Sequence, residues 1–353
     1  MNINIKKAQK KKSKPDHTIL GFGKYFTDHM FTMEYTEQTG WINPQIIPFD
    51  DMAMSPSTTV FHYAQSVFEG LKAYINDQNE VVLFRPYENA RRLQKSCLRM
   101  AMPTIPEDDF VKAISELVKM DKDWIPTQEG TSLYIRPFMI AKDEILGVHP
   151  SKTYQFIIIL SPVGHYYLNG IKPISISINP IYSRSFFGGT GDVKCAANYS
   201  ISLLAQKEAK EKGFDQVLWL GGKEHNIITE VGAMNMMFVI NNEIITPKLD
   251  GTILAGVTRD SVITLLREWG YTVIERDMTV DELIHHLMNK SVQEAFGTGT
   301  AATISPVGMI EYKGTHYPIS ENLGVLSKRI YDTLNMIKVK TGSVHPEWVH
   351  LVK

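Results

Sequence analysis

A lysine closes the glycine-rich stretch Gly188-Gly-Thr-Gly-Asp-Val-Lys194, an acid ends Ile228-Thr-Glu230, and an arginine pair ends Asn89-Ala-Arg-Arg92. A second small-residue turn, Gly297-Thr-Gly-Thr-Ala301, follows far downstream. Such turns offer backbone N–H groups and hydroxyls to a phosphate monoester or a carboxylate. Neither is a nucleotide motif. A phosphate-binding loop needs glycine directly before its lysine and serine or threonine after it, whereas Val193 and Cys195 flank Lys194. The second turn has Ala302 at the sixth position of the dinucleotide fingerprint, with no ribose-binding acid about 20 residues on. His285 and His286 are adjacent, and the sequence has no H-E-x-x-H, C-x-x-C or G-x-S-x-G string, so no metal site or serine hydrolase is indicated. A lysine, an acid and an anion-binding turn are the parts a pyridoxal phosphate site requires: a Schiff-base amine, a partner for the pyridine nitrogen and a phosphate cup. Each also has an ordinary reading, as a surface lysine, an exposed strand-end acid or a solvated arginine. Spacing alone leaves both open.

The elements that must position these groups follow from pattern. Phe31 to Tyr35 and Glu80 to Phe84 read as strands, rich in aromatic and branched residues. Arg85-Pro86 opens a helix whose apolar positions Leu93, Cys97 and Met100 keep helical spacing. A second helix, Pro106 to Met120, carries Glu107, Asp108 and Asp109 in its first turn, where acids suit the helix dipole. Strands are predicted at Ser132 to Ile140, Tyr154 to Leu160 and Ile174 to Ile178, with Ser161 to Pro173 a linker or lid between the last two. A helix from Ala197 to Lys212 precedes short strands at Gln216 to Leu220, Asn226 to Thr229, Met234 to Ile240 and Glu243 to Thr246. Later helices are predicted at Thr258 to Trp269, Val280 to Met288 and Glu321 to Ile337. Many short strands without strict βαβ alternation imply an α+β fold whose second domain is barrel-like.

Composition excludes several classes. The 353 residues suggest about two domains. Lysine plus arginine number 37 against 38 acids, which lacks the basic excess of a nucleic-acid-binding protein. The longest wholly apolar run, Phe156-Ile-Ile-Ile-Leu160, is far shorter than the roughly 20 residues of a membrane-spanning helix. The lysine-rich start, from Lys6 to Lys14, is followed by no apolar segment and reads as a solvated, frayed terminus. Two cysteines, Cys97 and Cys195, make no disulfide framework and point to a reducing cytoplasm.

Taken as strings, the segments resemble the branched-chain amino acid aminotransferases among the fold-type IV pyridoxal phosphate enzymes. The resemblance rests on Phe26-Thr-Asp-His-Met30, Phe68-Glu-Gly-Leu-Lys-Ala-Tyr74, Leu83-Phe-Arg-Pro86, Tyr134-Ile-Arg-Pro137, Gly188 to Lys194 and Gln216-Val-Leu-Trp-Leu220. It continues through Ile228-Thr-Glu-Val-Gly232, Leu249 to Arg259 and Phe296-Gly-Thr-Gly-Thr-Ala301, collinear from about residue 20 onward. It implies two domains, a smaller α/β one over 1–162 with 1–16 flexible, and a larger barrel-like one over 175–353 carrying Lys194. Residues 163–174 link them, and the cofactor is expected in the cleft between.

The resemblance also implies roles. Lys194 is the Schiff-base lysine of pyridoxal 5'-phosphate, Glu230 the partner of the pyridine nitrogen, and Tyr199 the tyrosine that hydrogen-bonds the phenolic oxygen. Arg92, Val257, Thr258 and Thr300 form the phosphate site, the valine and threonine at a helix N-terminus where free N–H groups suit an anion. Phe26, Tyr63, Phe68, Tyr134, Arg136 and Tyr166 line the substrate pocket, with Thr300 and Ala301 near the α-carboxylate. Arg91 and Arg99 read as solvated helix faces and Trp219 as core. The implied reaction is reversible, ping-pong transamination between leucine, isoleucine or valine and 2-oxoglutarate. The implied assembly is a homodimer, with Leu146 and Val148 reaching the partner's pocket. Two departures stand out: Ala302 and Ser305 occupy the places of a C-x-x-C found in some relatives, and Ala233 replaces a common threonine.

Overall fold

A computed structural model describes residues 1–164 and 171–353. Tyr166, with much of the expected linker or lid, lies outside the described residues. The chain forms two compact units: Met1–Leu168 with Val193–Ala196 and Asn335–Lys353, and Asn169–Asp192 with Ala197–Leu334. The segment holding Lys194 therefore belongs to the first unit, not to the C-terminal domain as the sequence suggested. The reason is burial: Val193 and Cys195 lie in the first unit's core, and Cys195 bridges to Val67.

The first unit is built on a nine-stranded sheet. Strands run in the order Asn4–Ile5, Gly40–Pro48, His29–Thr36, Thr153–Val163, Ser132–Ala141, Leu71–Ile75, Val81–Phe84 and Val349–Leu351, and Ser66–Phe68 also pairs with Ser132–Ala141. Helices Pro86–Arg99 and Glu107–Met120 contribute Leu93, Cys97, Phe110, Ile114 and Leu117 to the core. The helix starts obey the sequence signals: Pro86 opens one after Arg85 at φ +47°, and three acids fill the first turn of the other. Strand Gly40–Pro48, which the sequence analysis did not predict, contains Pro44, a residue that cannot donate to a ladder. The sheet tolerates it where the register with His29–Thr36 shifts, beside Asn43 at φ +53°.

Alternation decides which side chains are available for chemistry. Leu133, Ile135, Met139, Leu71, Ala73 and Val67 enter the core, which sends Tyr134, Arg136, Lys72 and Phe68 to the opposite face. By the same rule Lys194, between buried Val193 and Cys195, points out of the core.

The lysine-rich start is not frayed. Asn4–Ile5 pairs with Gln45 and Ile46, the Ala8 N–H donates to His29 Nε2 at 2.9 Å, and Lys14 Nζ reaches the Asp123 carboxylate at 2.9 Å. Composition made this segment read as solvated, but its partners lie far off in sequence.

The second unit closes a six-stranded barrel, as the pattern implied. Around the barrel run Ile227–Val231, Gln216–Gly221, Ile174–Ile178, Thr303–Tyr312, Val292–Gly299 and Met234–Ile240, and the last pairs back to the first. The predicted 197–212 helix is broken into Ala197–Ser200 and Leu203–Glu211. Ser202 Oγ donates to the Tyr199 carbonyl at 2.7 Å, the local competition that makes serine a poor helix-interior residue. Helix Val325–Val339 starts four residues later than predicted, where Glu294 accepts from the Leu326 and Ser327 N–H groups. No helix of the described residues is long and apolar enough to cross a membrane.

Phe156 has no exposed surface and packs against the rings of Phe31, Trp41 and Phe110, joining sheet to helix. Phe156→Ala is expected to destabilise the first unit by about 3–5 kcal/mol, read as a lowered midpoint in urea unfolding.

Candidate active site

The first unit gathers one set of candidate groups. Lys194 Nζ stands 4.3 Å from the centroid of the Phe68 ring, and the Arg136 guanidinium carbon stands 4.6 Å from the same centroid. Arg136 Nη2 donates to the Tyr134 hydroxyl at 3.1 Å, while its Nε is buried with no hydrogen-bond partner among the described residues. A buried guanidinium donor left over in this way suits an anionic ligand group. Ser161 Oγ, opposite Tyr134 in the sheet, is likewise buried without such a partner. Tyr134 lies where it does because residue 70 is glycine. A Cβ at Gly70 would stand 2.1 Å from the tyrosine hydroxyl.

Arg92 is held from behind. Its Nε and Nη2 donate to the two oxygens of Glu69 at 2.7 and 2.9 Å, and Asn89 adds a third bond at 2.7 Å. Burial of Glu69 opposes its charge, but Arg92, with Lys194 and Asn89 adding, outweighs that and keeps the carboxyl below its ordinary range. Ser96 then ties two functional segments together. Its hydroxyl donates to the Arg92 carbonyl at 2.9 Å and accepts the Lys194 N–H at 3.0 Å. The Lys194 carbonyl in turn accepts the Phe68 N–H at 3.0 Å.

The second unit gathers the rest. Glu230 is buried, not an exposed strand-end acid, and accepts a charge-assisted bond from Arg184 Nη1. Arg184 also lies 5.6 Å from the Tyr199 ring centroid. Asn235, paired with Glu230 in the barrel, donates to Glu230 Oε1 at 3.4 Å and to the Leu254 carbonyl at 2.8 Å. One amide thus links the acid to the turn that leads into helix Val257–Glu268. There Val257 and Thr258 occupy the first turn, whose N–H groups have no partner within the helix. Gly256, before them, allows a close approach: a Cβ would meet Asn235 Oδ1 at 2.1 Å. Thr300 and Ala301 form the turn between Val292–Gly299 and Thr303–Tyr312, next to Thr298, whose hydroxyl is buried without a partner among the described residues. The glycine-rich turn before Lys194 is closed by Asn198, which bonds the Thr190 carbonyl and hydroxyl at 2.6 Å each.

The donor set suits pyridoxal phosphate chemically. A lysine, a buried acid paired with an arginine, and helix and hairpin turns with amide and hydroxyl donors match an aldehyde, a ring nitrogen and a phosphate. Two further sequence candidates are held by partners of their own. The Tyr63 hydroxyl donates to the Leu146 carbonyl, on a surface where Leu146 and Val148 are exposed. Phe26 stacks on Phe49 at 5.1 Å. Trp219 is core, as expected, its Nε1 donating to Gly232. Sequence reasoning missed Glu69, Ser96, Arg184, Asn235 and Lys72. Glu69 and Lys72 lay within a matched string, Phe68 to Tyr74, but the string alone gave them no role. Among the described residues no cluster could hold a metal ion.

Comparison with known proteins adds an independent finding. The family model described as amino-transferase class IV matches residues 66–310. The chain is 50% identical over 347 residues to branched-chain-amino-acid aminotransferase 2 of Bacillus subtilis (strain 168), covering 98% of this chain and 95% of that protein. Among solved structures, the branched-chain amino acid aminotransferase of Escherichia coli aligns with a TM-score of 0.77 at 24% identity, over 92% of this chain and 99% of that one. The branched-chain amino acid aminotransferase of Thermobaculum terrenum, solved in its PLP-form, aligns with a TM-score of 0.73 at 24% identity, over 92% and 98%.

Lys72 pairs with Tyr134 across the sheet, and burial pushes its pKa down to about 8. Lys338, 5.4 Å from the Phe84 ring centroid, is pushed down to about 7 by burial, with Lys72 adding. Unfolded, both amines stay protonated to about pH 10.5, so between about pH 7 and that value the unfolded chain binds more protons. Their contribution to stability therefore rises with pH across this window. Urea unfolding at neutral pH and at about pH 9.5 is expected to show a gain for the wild type that the Lys72→Met/Lys338→Met double variant lacks.

Proposed function

From a chain that belongs to the class IV aminotransferase family, we propose an enzyme that exchanges the amino group of L-leucine, L-isoleucine or L-valine with 2-oxoglutarate. The products are the branched-chain 2-oxo acids and L-glutamate, formed in two half-reactions in ping-pong order. The observation that carries the reading is the Phe68 ring, against which both Lys194 and Arg136 stand. A reactive amine, an aromatic wall for an aliphatic side chain and a guanidinium for a second carboxylate are thereby gathered at one place. That is what a pocket alternating between leucine and glutamate requires.

Pyridoxal 5'-phosphate, when bound, supplies the electron sink that lets the α C–H bond of an amino acid break. The residues suited to hold it are Arg92, Val257, Thr258 and Thr300 for the phosphate, Tyr199 for the phenolic oxygen and Glu230 for the ring nitrogen. Glu230, oriented by its bond from Arg184, would accept the bond from a proton on that nitrogen. Lys194 would hold the cofactor's aldehyde carbon through Nζ, and its amine is the group placed to move a proton to and from the substrate α-carbon. Ser96, fixing the lysine's backbone, limits how far that amine can wander. Tyr134 and Arg136 bind the γ-carboxylate of glutamate, while Phe26, Phe68 and Tyr63 border the aliphatic chain. Thr300 and Ala301 take the α-carboxylate, and Tyr166 is assigned to the same substrate pocket. We place the enzyme in the cytoplasm, where Cys97 and Cys195 stay reduced, as a homodimer joined through the surface of Leu146 and Val148.

The test is an absorption spectrum of purified protein loaded with pyridoxal 5'-phosphate. L-Leucine alone is expected to bleach the yellow band, and 2-oxoglutarate to restore it. A band that ignores L-leucine and answers D-alanine overturns the substrate assignment. Lys194→Ala is expected to lose all turnover while keeping its melting temperature, and full activity in that variant would sink the role of the lysine.

A further inference from the structure

The lysine-rich segment at the start of the chain does more than cover the sheet. Lys12 bonds the segment that carries Phe26 at two points: its N–H donates to Asp28 Oδ1 at 2.7 Å and its Nζ to the Thr27 carbonyl at 2.8 Å. The same ammonium lies 4.0 Å from the centroid of the Phe49 ring. Phe49 stacks on Phe26, with centroids 5.1 Å apart and planes within 8°. The neighbourhood is braced further, because Asp28 Oδ2 accepts from Trp124 Nε1 at 2.8 Å and the Asp28 carbonyl accepts the Phe49 N–H at 2.8 Å. This segment also borders the face that bears Lys194: Phe22 packs edge-on against Tyr134 at 4.8 Å, and the Thr27 N–H donates to the Leu160 carbonyl.

We propose that Lys12 is a positioning residue for the aliphatic side chain of the substrate, acting through the Lys12–Phe49–Phe26 stack. The inference rests on the functional reading above, in which Phe26 borders the substrate. The stack restricts ring freedom. A phenylalanine on a loop can rotate about two bonds, and an ordered wall is worth more to a branched aliphatic group than a mobile one. The ammonium against one face of Phe49, and Phe26 against the ring, leave the pair few alternatives. Only the bound amino acid's side chain senses this wall, so the effect falls on binding of leucine and not on proton transfer at Lys194. Glutamate, gripped by Arg136 through its carboxylate, depends on the wall less.

Steady-state kinetics of the full chain loaded with pyridoxal 5'-phosphate test this. Lys12→Met is expected to raise KM for L-leucine about two- to fivefold, with kcat and KM for L-glutamate little changed. Lys12→Arg, which keeps a cation over the ring, is expected to restore the wild-type value. Phe49→Leu, which leaves both Lys12 hydrogen bonds in place, is expected to raise the same KM and carries the test if Lys12→Met does not fold. Cofactor affinity by equilibrium dialysis and the melting temperature are expected to stay at wild-type values in every folded variant. An unchanged KM for L-leucine in an active enzyme overturns the inference alone. A parallel fall in kcat, cofactor affinity and melting temperature also overturns it, because that marks a purely structural role. A wild-type protein that turns over no branched-chain amino acid overturns the functional reading, and this inference with it.

Discussion

Glu69 has no exposed surface, and much of the first unit's set of candidate groups is arranged by the need to keep its carboxylate paired. An isolated buried carboxylate costs far more than any single contact returns, so it must meet a cation and further donors. Arg92 supplies the cation in a two-point grip, and Asn89 fills a remaining lone pair. That requirement fixes the direction in which the arginine points. It also fixes the helix bearing both donors against strand-end residues Phe68 to Gly70. Ser96, one turn on from Arg92, then passes the same placement to the Lys194 backbone.

The second unit solves the same problem with different parts. Glu230 is buried on a barrel strand and is paired with Arg184, from the irregular segment after the Ile174–Ile178 strand. Asn235, on the neighbouring strand, bonds the acid and the Leu254 carbonyl together. Barrel closure makes this possible, because Ile227–Val231 and Met234–Ile240 pair directly and bring Glu230 and Asn235 side by side. In both units a carboxylate is buried first, and an arginine and an asparagine follow as its obligatory company. The groups assigned to chemistry are neighbours of these pairs.

Where local rules suffice, sequence and structure agree closely. The Glu107–Met120 helix follows from its apolar spacing and acidic first turn, and strand Ser132–Ala141 from its run of branched and aromatic residues. Alternation then places Tyr134 and Arg136 together on one face. Where a side chain or a distant strand overrides local preference, agreement fails. Ser202 breaks a helix that apolar spacing would continue, and Pro44 sits in a strand because a register shift accommodates it. The lysine-rich start fails for the same reason in reverse. Nothing local orders it, but His29, Asp28 and Asp123 do.

The sequence by itself determined the inventory: which lysine follows the glycine-rich turn, which acid and arginine recur in family strings, and which strands build a barrel-like second domain. These are properties of residue type and short spacing, and backbone preference and side-chain period act over a few residues. Only the tertiary structure decided the pairings. Ser96 meets Lys194 across 98 positions, Arg184 meets Glu230 across 46, and His29 meets Asp121 across 92. A buried charge must find its partner wherever the fold brings one, and that partner's distance along the chain is set by topology, which short-range pattern does not encode.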